Sequence, residues 1–371
     1  MDILSIINRK LRSIYSLLSA GALGVLAACS QENGSVPSAG SPSPELGDDE
    51  SLTLEAIFSG EQYDAESPGE IQWLADGSGY TMLETVAGYD EDNPELDDEG
   101  EALAAPQDIV LYDPASAERS LFVSAAALIP ADAERPLEID AYSWSEDRSK
   151  LLIYSNSQRV WRVKSRGDYW VLDLNNNALS QLGGDAAAST LQFAKFSPDA
   201  SRVAYVRDAD VYVEDLASKA ITRLTERAGK HIINGIMSWA YEEEFSIRDG
   251  FRWSPDGSQI AYWQFDTSGV RNFKIINNTD ELYPTVTDIP YPKVGETISA
   301  ASVGVVAANG GPTVWVALPG DPRQMYVPRM GWANNSEEII VQQLNRRQNK
   351  NHLFYADAAT GAVRPIFVEE A

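Results

Sequence analysis

From about residue 52 onward, short apolar runs alternate with polar turns, and the alternation recurs at long intervals. Five segments share one plan: "QWLADGSGYTML" (72–83), "SWSEDRSKLLIYS" (143–155), "KFSPDASRVAYV" (195–206), "RWSPDGSQIAYW" (252–263) and "GWANNSEEIIVQ" (331–342). Each opens on an aromatic residue, passes through a polar turn and enters an apolar run. Pro presets its own φ and Gly tolerates positive φ, so Pro-Asp-Gly and its variants form turns. The runs "LLIYS", "RVAYV" and "QIAYW" are rich in β-branched and aromatic residues and predict strands. Second strand pairs follow in "YWVLDLNNNALSQL" (169–182), "VYVEDLASKAITRL" (211–224) and "HLFYADAATGAVRPI" (352–366). No helical period persists in this region.

The leading aromatics are Trp73, Trp144, Phe196, Trp253 and Trp332. Every interval between them exceeds the about 40–50 residues that a four-stranded propeller blade takes. The pattern therefore predicts an all-β fold, a β-propeller of about five blades with loop insertions. One insertion, "YDEDNPELDDEGE" (89–101), holds eight acids and no bases. Glu95 stands where an EF-hand loop starting at Asp90 needs its sixth-position glycine, so a solvated acidic loop is expected rather than a calcium site.

The first 51 residues follow a different pattern. Arg9, Lys10 and Arg12 precede the mainly apolar "IYSLLSAGALGVLAA" (14–28). That run is shorter than the roughly 20 residues of a membrane span and suits a signal peptide. It ends in "LAAC", similar to a bacterial lipobox, which makes Cys29 the expected lipidation site and residues 1–29 a lipoprotein signal peptide. Residues 30–51 are rich in Ser, Gly and Pro and are expected to form a disordered tether. The folded domain is assigned to residues 52–371. A bacterial envelope location, lipid-anchored to the outer membrane on its periplasmic side or periplasmic, is the expectation, with the lipid anchor as the only membrane contact. Ser30 after the cysteine, rather than aspartate, suggests the outer membrane by family resemblance.

Composition narrows the chemistry. Fifty-five acids against 29 bases give a net charge of −26, which argues against a nucleic-acid partner. One cysteine excludes an internal disulfide or a cysteine metal cluster. Two histidines, His231 and His352, exclude a His-rich metal site. No metal or cofactor is expected.

The densest charge lies in "SWAYEEEFSIRDG" (238–250), where Glu242, Glu243 and Glu244 are adjacent. Neighbouring carboxylates repel and raise one another's pKa. A helix start would tolerate them at its positive end. In a helix, successive residues diverge by about 100°, so at most two could converge on one ligand. A primary ammonium offers three donors and a compensating charge. Trp239 and Tyr241 would lower the local dielectric and strengthen that attraction.

"SWAYEEEF" followed by "FRWSPDGSQIAYWQFD" and "YPTVTDIPYPKVGE", with "SNSQRVWRVKSRGDYWVLDL" (155–174) and "GWANNSEEIIVQQLNRRQNKNHLFYADAATG" (331–361), resembles the propeller domain of the dipeptidyl peptidase IV family, prolyl oligopeptidase-type serine peptidases. The resemblance spans about residues 52–371. It implies that Glu243 and Glu244 grip the free N-terminal amine of a peptide, and that Arg162, after Trp161, binds the carbonyl between the first two substrate residues and braces the glutamates. Tyr241, Trp239 and Glu242 are the expected supporting residues. It further implies a substrate-gating role in a serine exopeptidase that releases N-terminal X-Pro or X-Ala dipeptides.

Family members carry eight blades and a C-terminal α/β-hydrolase, and no G-x-S-x-G nucleophile elbow occurs in this sequence. The expectation is therefore a truncated domain, a fragment or a shortened gene, with no catalytic residues of its own and inactive alone. The expected partners are a peptide with a free N-terminus, the missing hydrolase domain and, in a full-length enzyme, a second copy in a homodimer. The competing expectation is a non-enzymatic periplasmic lipoprotein propeller that binds partner proteins.

Overall fold

The structure is a computed structural model and describes residues 69–90, 92–97 and 100–371. The proposed signal peptide, Cys29, the tether and the first part of the domain lie outside the described residues, as do Glu91, Asp98 and Glu99 of the acidic loop. Gly69–Ala371 forms one compact unit.

Five antiparallel units follow one another along the chain. The first joins β1 (Gln72–Trp73), β2 (Tyr80–Thr85), β3 (Gln107–Tyr112) and β4 (Arg119–Val123). The second joins β5 (Ala141–Trp144), β6 (Lys150–Val160), β7 (Val163–Asp173) and β8 (Ala178–Gln181); the third joins β9 (Leu191–Phe196), β10 (Arg202–Arg207), β11 (Asp210–Asp215) and β12 (Ile221–Arg223). A single pairing, Gly167 with Leu191, links these two units. The fourth comprises β13 (Ile232–Asn234), the helix α1 (Trp239–Phe245), β14 (Phe251–Trp253), β15 (Gln259–Asp266), the separate hairpin β16 (Asn272–Asn277) and β17 (Thr285–Pro290), β18 (Ala300–Ala307) and β19 (Val314–Trp315). The fifth joins β20 (Met325–Trp332), β21 (Glu338–Asn345), β22 (Lys350–Asp357) and β23 (Val363–Glu370). The three outer hairpins expected from sequence are β7–β8, β11–β12 and β22–β23.

In the second, third and fourth blades the central strands are buried on both faces, as in stacked propeller blades. Side chains alternate across a strand. In β6, Leu151 and Ile153 pack toward the first blade while Leu152 packs toward the third. In β15, Ile260 and Tyr262 pack against β10 and β11, whereas Ala261, Trp263 and Phe265 pack against β20 and β21. Four core clusters result, each filled from two successive blades. This is the propeller-like architecture expected from sequence.

Each of the five aromatics ends the first strand of its blade. The turn that follows is an Asx turn: Asp76, Asp147, Asp199, Asp256 and Asn335 each accept a backbone N–H two residues on through their side-chain oxygen. The indoles tie blades together. Trp253 Nε1 donates to the Lys195 carbonyl at 3.2 Å, and Trp332 Nε1 donates to the Arg252 carbonyl at 3.2 Å. In both cases the acceptor immediately precedes the aromatic of the preceding blade.

Candidate functional site

The three glutamates sit on an excursion that interrupts the innermost strand of the fourth blade. β13 and β14 pair with opposite ends of β15 and together stand in for one strand. The ladder continues across the gap: Gly235 N–H donates to the Trp263 carbonyl at 3.0 Å, and Trp263 N–H donates to the Gly250 carbonyl at 2.9 Å. Residues 236–249 leave the sheet between these points. Gly250 N–H closes the neck on the Gly235 carbonyl at 2.9 Å, and Ile236 bridges Asp249. Glycine is required here. A Cβ on Gly250 would lie 2.5 Å from the Gly235 carbonyl carbon and 2.8 Å from the Ile236 nitrogen, both backbone atoms, and Gly235 has φ +73°. Asp249 anchors the descending limb through ion pairs to Lys195 on β9 and, at 2.9 Å, to Arg252.

Within the excursion the chain forms the seven-residue helix α1. Ser246 ends it in a left-handed conformation (φ +54°), with its N–H on the Tyr241 carbonyl. Tyr241 is fully buried, and its ring meets Phe265 at 4.5 Å between centroids. Its hydroxyl accepts the Val327 N–H at 2.9 Å. The pairing of β20 with β21 shifts register between Tyr326 and Arg329, so Val327 is left without a ladder partner. Buried backbone groups need a partner. Two side chains of the fourth blade supply them: Tyr241 takes the Val327 N–H, and Trp263 Nε1 donates to the Val327 carbonyl at 2.9 Å. The helix is thereby fixed to the fifth blade.

The rest of α1 follows from that anchor. Glu243 forms a 2.9 Å ion pair with Arg162 Nη2; the Glu243 side chain is 28% exposed and that of Arg162 76%. Glu242 is partly buried and 3.9 Å from Arg248 Nε. Burial is the main reason its carboxyl pKa is raised, with Glu243 adding to the rise and Arg248 opposing it. Glu244 is exposed and lines a cavity of about 970 Å³ together with Trp239, Phe245, Tyr291 and Tyr326. It forms no ion pair or hydrogen bond among the described residues. Trp239 stacks on Tyr291 at 3.9 Å between centroids and forms part of the cavity wall. Of the residues singled out from sequence, Arg162 and Glu243 are thus in direct contact, Glu242 is a partly buried neighbour, and Tyr241 commits its hydroxyl to β20.

Arg162 arrives from the second blade. β6 and β7 each run for 11 residues, longer than their neighbours in the blade. The hairpin changes direction at Asn156 (φ +49°), where the pairing shifts register, opposite Gly167. A Cβ on Gly167 would lie 2.4 Å from the Tyr154 ring and 2.7 Å from the Ser155 carbonyl oxygen. Asp168 staples the bend, accepting from Asn156 Nδ2 and the Ser189 N–H, both at 2.7 Å. Trp161 and Arg162 form the two-residue tip between Val160 and Val163. Trp161 has φ +56°, in the left-handed region usually left to glycine. Such strain costs about 1–3 kcal/mol and clusters at functional sites.

Residues 145–371 match the family described as the dipeptidyl peptidase IV (DPP IV) N-terminal region. The chain belongs to the dipeptidyl peptidase IV N-terminal-region family. It is 26% identical over 229 residues to a probable dipeptidyl-aminopeptidase B of Phaeosphaeria nodorum, covering 58% of this chain and 25% of that protein. It is 27% identical over 228 residues to dipeptidyl aminopeptidase B of Saccharomyces cerevisiae, covering 60% and 27%. The crystal structure of Porphyromonas gingivalis dipeptidyl peptidase 4 superposes with a TM-score of 0.72 at 25% identity, covering 86% of this chain and 42% of that one. The chain therefore spans about a quarter of the length of these two curated relatives. The dipeptidyl peptidase IV match begins at Ser145 and takes in both the Arg162 hairpin and the glutamate helix.

Proposed function

We propose that this chain is the substrate-gating, peptide N-terminus-binding propeller region of a dipeptidyl peptidase IV-like serine exopeptidase. The observation that carries the reading is the Arg162–Glu243 ion pair, made between a strained hairpin tip of the second blade and a helix inserted into the fourth. Two elements far apart in sequence converge on one carboxylate, and the next residue, Glu244, offers a second. An α-ammonium entering here neutralises both carboxylates. The Arg162 guanidinium, mostly exposed, retains donors for a peptide carbonyl.

Anchoring the amine sets a fixed distance. A serine nucleophile from an α/β-hydrolase domain then meets the bond after the second residue, and dipeptides leave. Longer N-terminal extensions do not fit, so the clamp filters substrates as well as orienting them. The proline or alanine preference belongs to the hydrolase pocket. Anchoring through a lipid on Cys29 in the bacterial envelope belongs to the same proposal and rests on the lipobox-like "LAAC".

The test is titration of the chain with one peptide bearing either a free or an acetylated N-terminus. Free-amine binding that acetylation abolishes is the expected result. Glu243→Gln and Glu244→Gln should each weaken it by about ten- to a hundredfold, corresponding to the roughly 1.5–3 kcal/mol of a charged hydrogen bond. Equal affinity for both peptides would overturn the amine clamp and favour a propeller that binds partner proteins through other surfaces.

A further inference from the structure

The cavity beside Glu244 carries more charge than an amine site alone needs. Five segments meet there: α1, β16, the loop that follows β17, the start of β20 and the turn between β21 and β22. Trp239, Tyr291 and Tyr326 supply aromatic walls. Lys293 and Arg347, both exposed, stand on the same wall. Arg347 has no carboxylate partner and no hydrogen bond among the described residues. The Lys293 ammonium forms no ion pair or hydrogen bond among the described residues and lies 5.9 Å from the centroid of the Phe273 ring. The neighbouring Arg346 is already engaged, since it donates to the backbone carbonyls of Glu296 and Arg323.

In a chain of net charge −26, two uncommitted cations and one uncommitted carboxylate lining a single cavity form a complementary set of charges. A ligand that satisfies both carries a cation and an anion. An N-terminal aspartate or glutamate does so: the α-ammonium matches Glu244, which lines the cavity one residue after Glu243, and the side-chain carboxylate matches Arg347 and Lys293. A cavity of about 970 Å³ has room for a whole residue and its backbone.

We propose that this cavity receives the side chain of the first peptide residue and selects for an acidic one, with Arg347 and Lys293 as the specificity-determining residues. The inference rests on the N-terminal amine clamp proposed above. No covalent step is involved; the charges on first residue and cavity are merely paired.

The experiment compares free-amine peptides that differ only at the first residue: Glu, Gln, Leu and Lys. Glu should bind about three- to tenfold tighter than Gln, the range of a half-exposed charge-assisted contact, and Lys should bind weakest. The Glu preference should shrink when salt is raised from about 50 to about 500 mM, as screening shortens the reach of exposed charges. In Arg347→Gln and the double variant Arg347→Gln with Lys293→Gln, Glu should fall to the level of Gln, while Gln and Leu affinities stay as in the parent. Unchanged Gln and Leu affinities show that the variants remain folded. Tight free-amine binding with no Glu preference, or a preference that survives the double variant, overturns the acidic subsite and leaves the amine clamp standing. Loss of all free-amine discrimination overturns both.

Discussion

Removing one oxygen atom from the Tyr241 side chain should loosen the glutamate helix α1 without altering its charges. In Tyr241→Phe the ring keeps its packing against Phe265 and Phe245, so no cavity opens. What is lost is the acceptor for the Val327 N–H, on a residue with 0% exposure. An unsatisfied buried donor costs about 1–3 kcal/mol. The β20 bulge offers no substitute, because the register shift leaves Val327 unpaired with β21 and Pro328 follows it. For a compact unit of this size each kcal/mol lowers Tm by roughly 2 °C, the lower end of the range for large domains. The melting temperature should therefore fall by about 2–6 °C. Hydrogen exchange at the Val327 amide, read by mass spectrometry, should quicken while amides in the first blade keep their protection. Tyr326→Phe is the control, since the Tyr326 hydroxyl makes no hydrogen bond among the described residues. Unchanged melting and unchanged Val327 exchange in Tyr241→Phe would refute the idea that this hydroxyl seats the helix.

Other outcomes follow from the same structure. Gly250→Ala places a Cβ against three backbone atoms of the excursion neck and should destabilise by about 3 kcal/mol or more, seen as a lowered urea midpoint. Glu242→Gln should stabilise at pH 7: the Glu242 pKa is raised above its ordinary 4.5 by burial, so its contribution is present below that value and is lost as pH rises through the folded pKa. Below about pH 4 the two proteins should melt together. The Asp147 carboxyl is held down at about 2, chiefly by the Ser149 N–H and then by the Ser145 hydroxyl. Its stabilisation is complete above an unfolded value of 3.8 and disappears as pH falls through about 2. Asp147→Asn should therefore flatten part of the acid limb of the stability–pH curve while leaving the slope near pH 7 unchanged.

How much of this can be read from the sequence depends on the range of the interactions. The blade starts are legible because each packs its signal into one short stretch: an aromatic, a polar turn and the Asp or Asn that builds it. The apolar strands at the centre of the second to fourth blades are legible because both faces are buried. The helix at the glutamates is visible only as one reading of "YEEEF", and its setting is not. Gly235 and Gly250 stand at opposite ends of the excursion and carry no local mark of meeting as a neck. The hairpin β16–β17, with exposed Ile275, Ile276 and Val286, lacks the buried alternation that reveals a strand. The pairing of Arg162 with Glu243 joins two different blades with a third between them in the chain. Spacing alone does not indicate it, and only the resemblance points there. Arg347 and Lys293 escape notice because a cation with no ion pair among the described residues looks, in sequence, like any solvated surface charge.

The hydrogen bond from Val327 to Tyr241 spans 86 positions of the chain, and this bears on the order in which the molecule comes together on the ribosome. Arg162, Glu243 and Glu244 have all been translated by residue 244, yet the surface on which the glutamate helix rests is made much later. At roughly 5–20 residues per second, that leaves an interval of several seconds or more in which the nascent glutamates have no fixed seat. The glutamate helix therefore gains its seat only once β20 has been made, and a pause in translation between Phe265 and Met325 would prolong exposure of Tyr241 and Phe265 to chaperones.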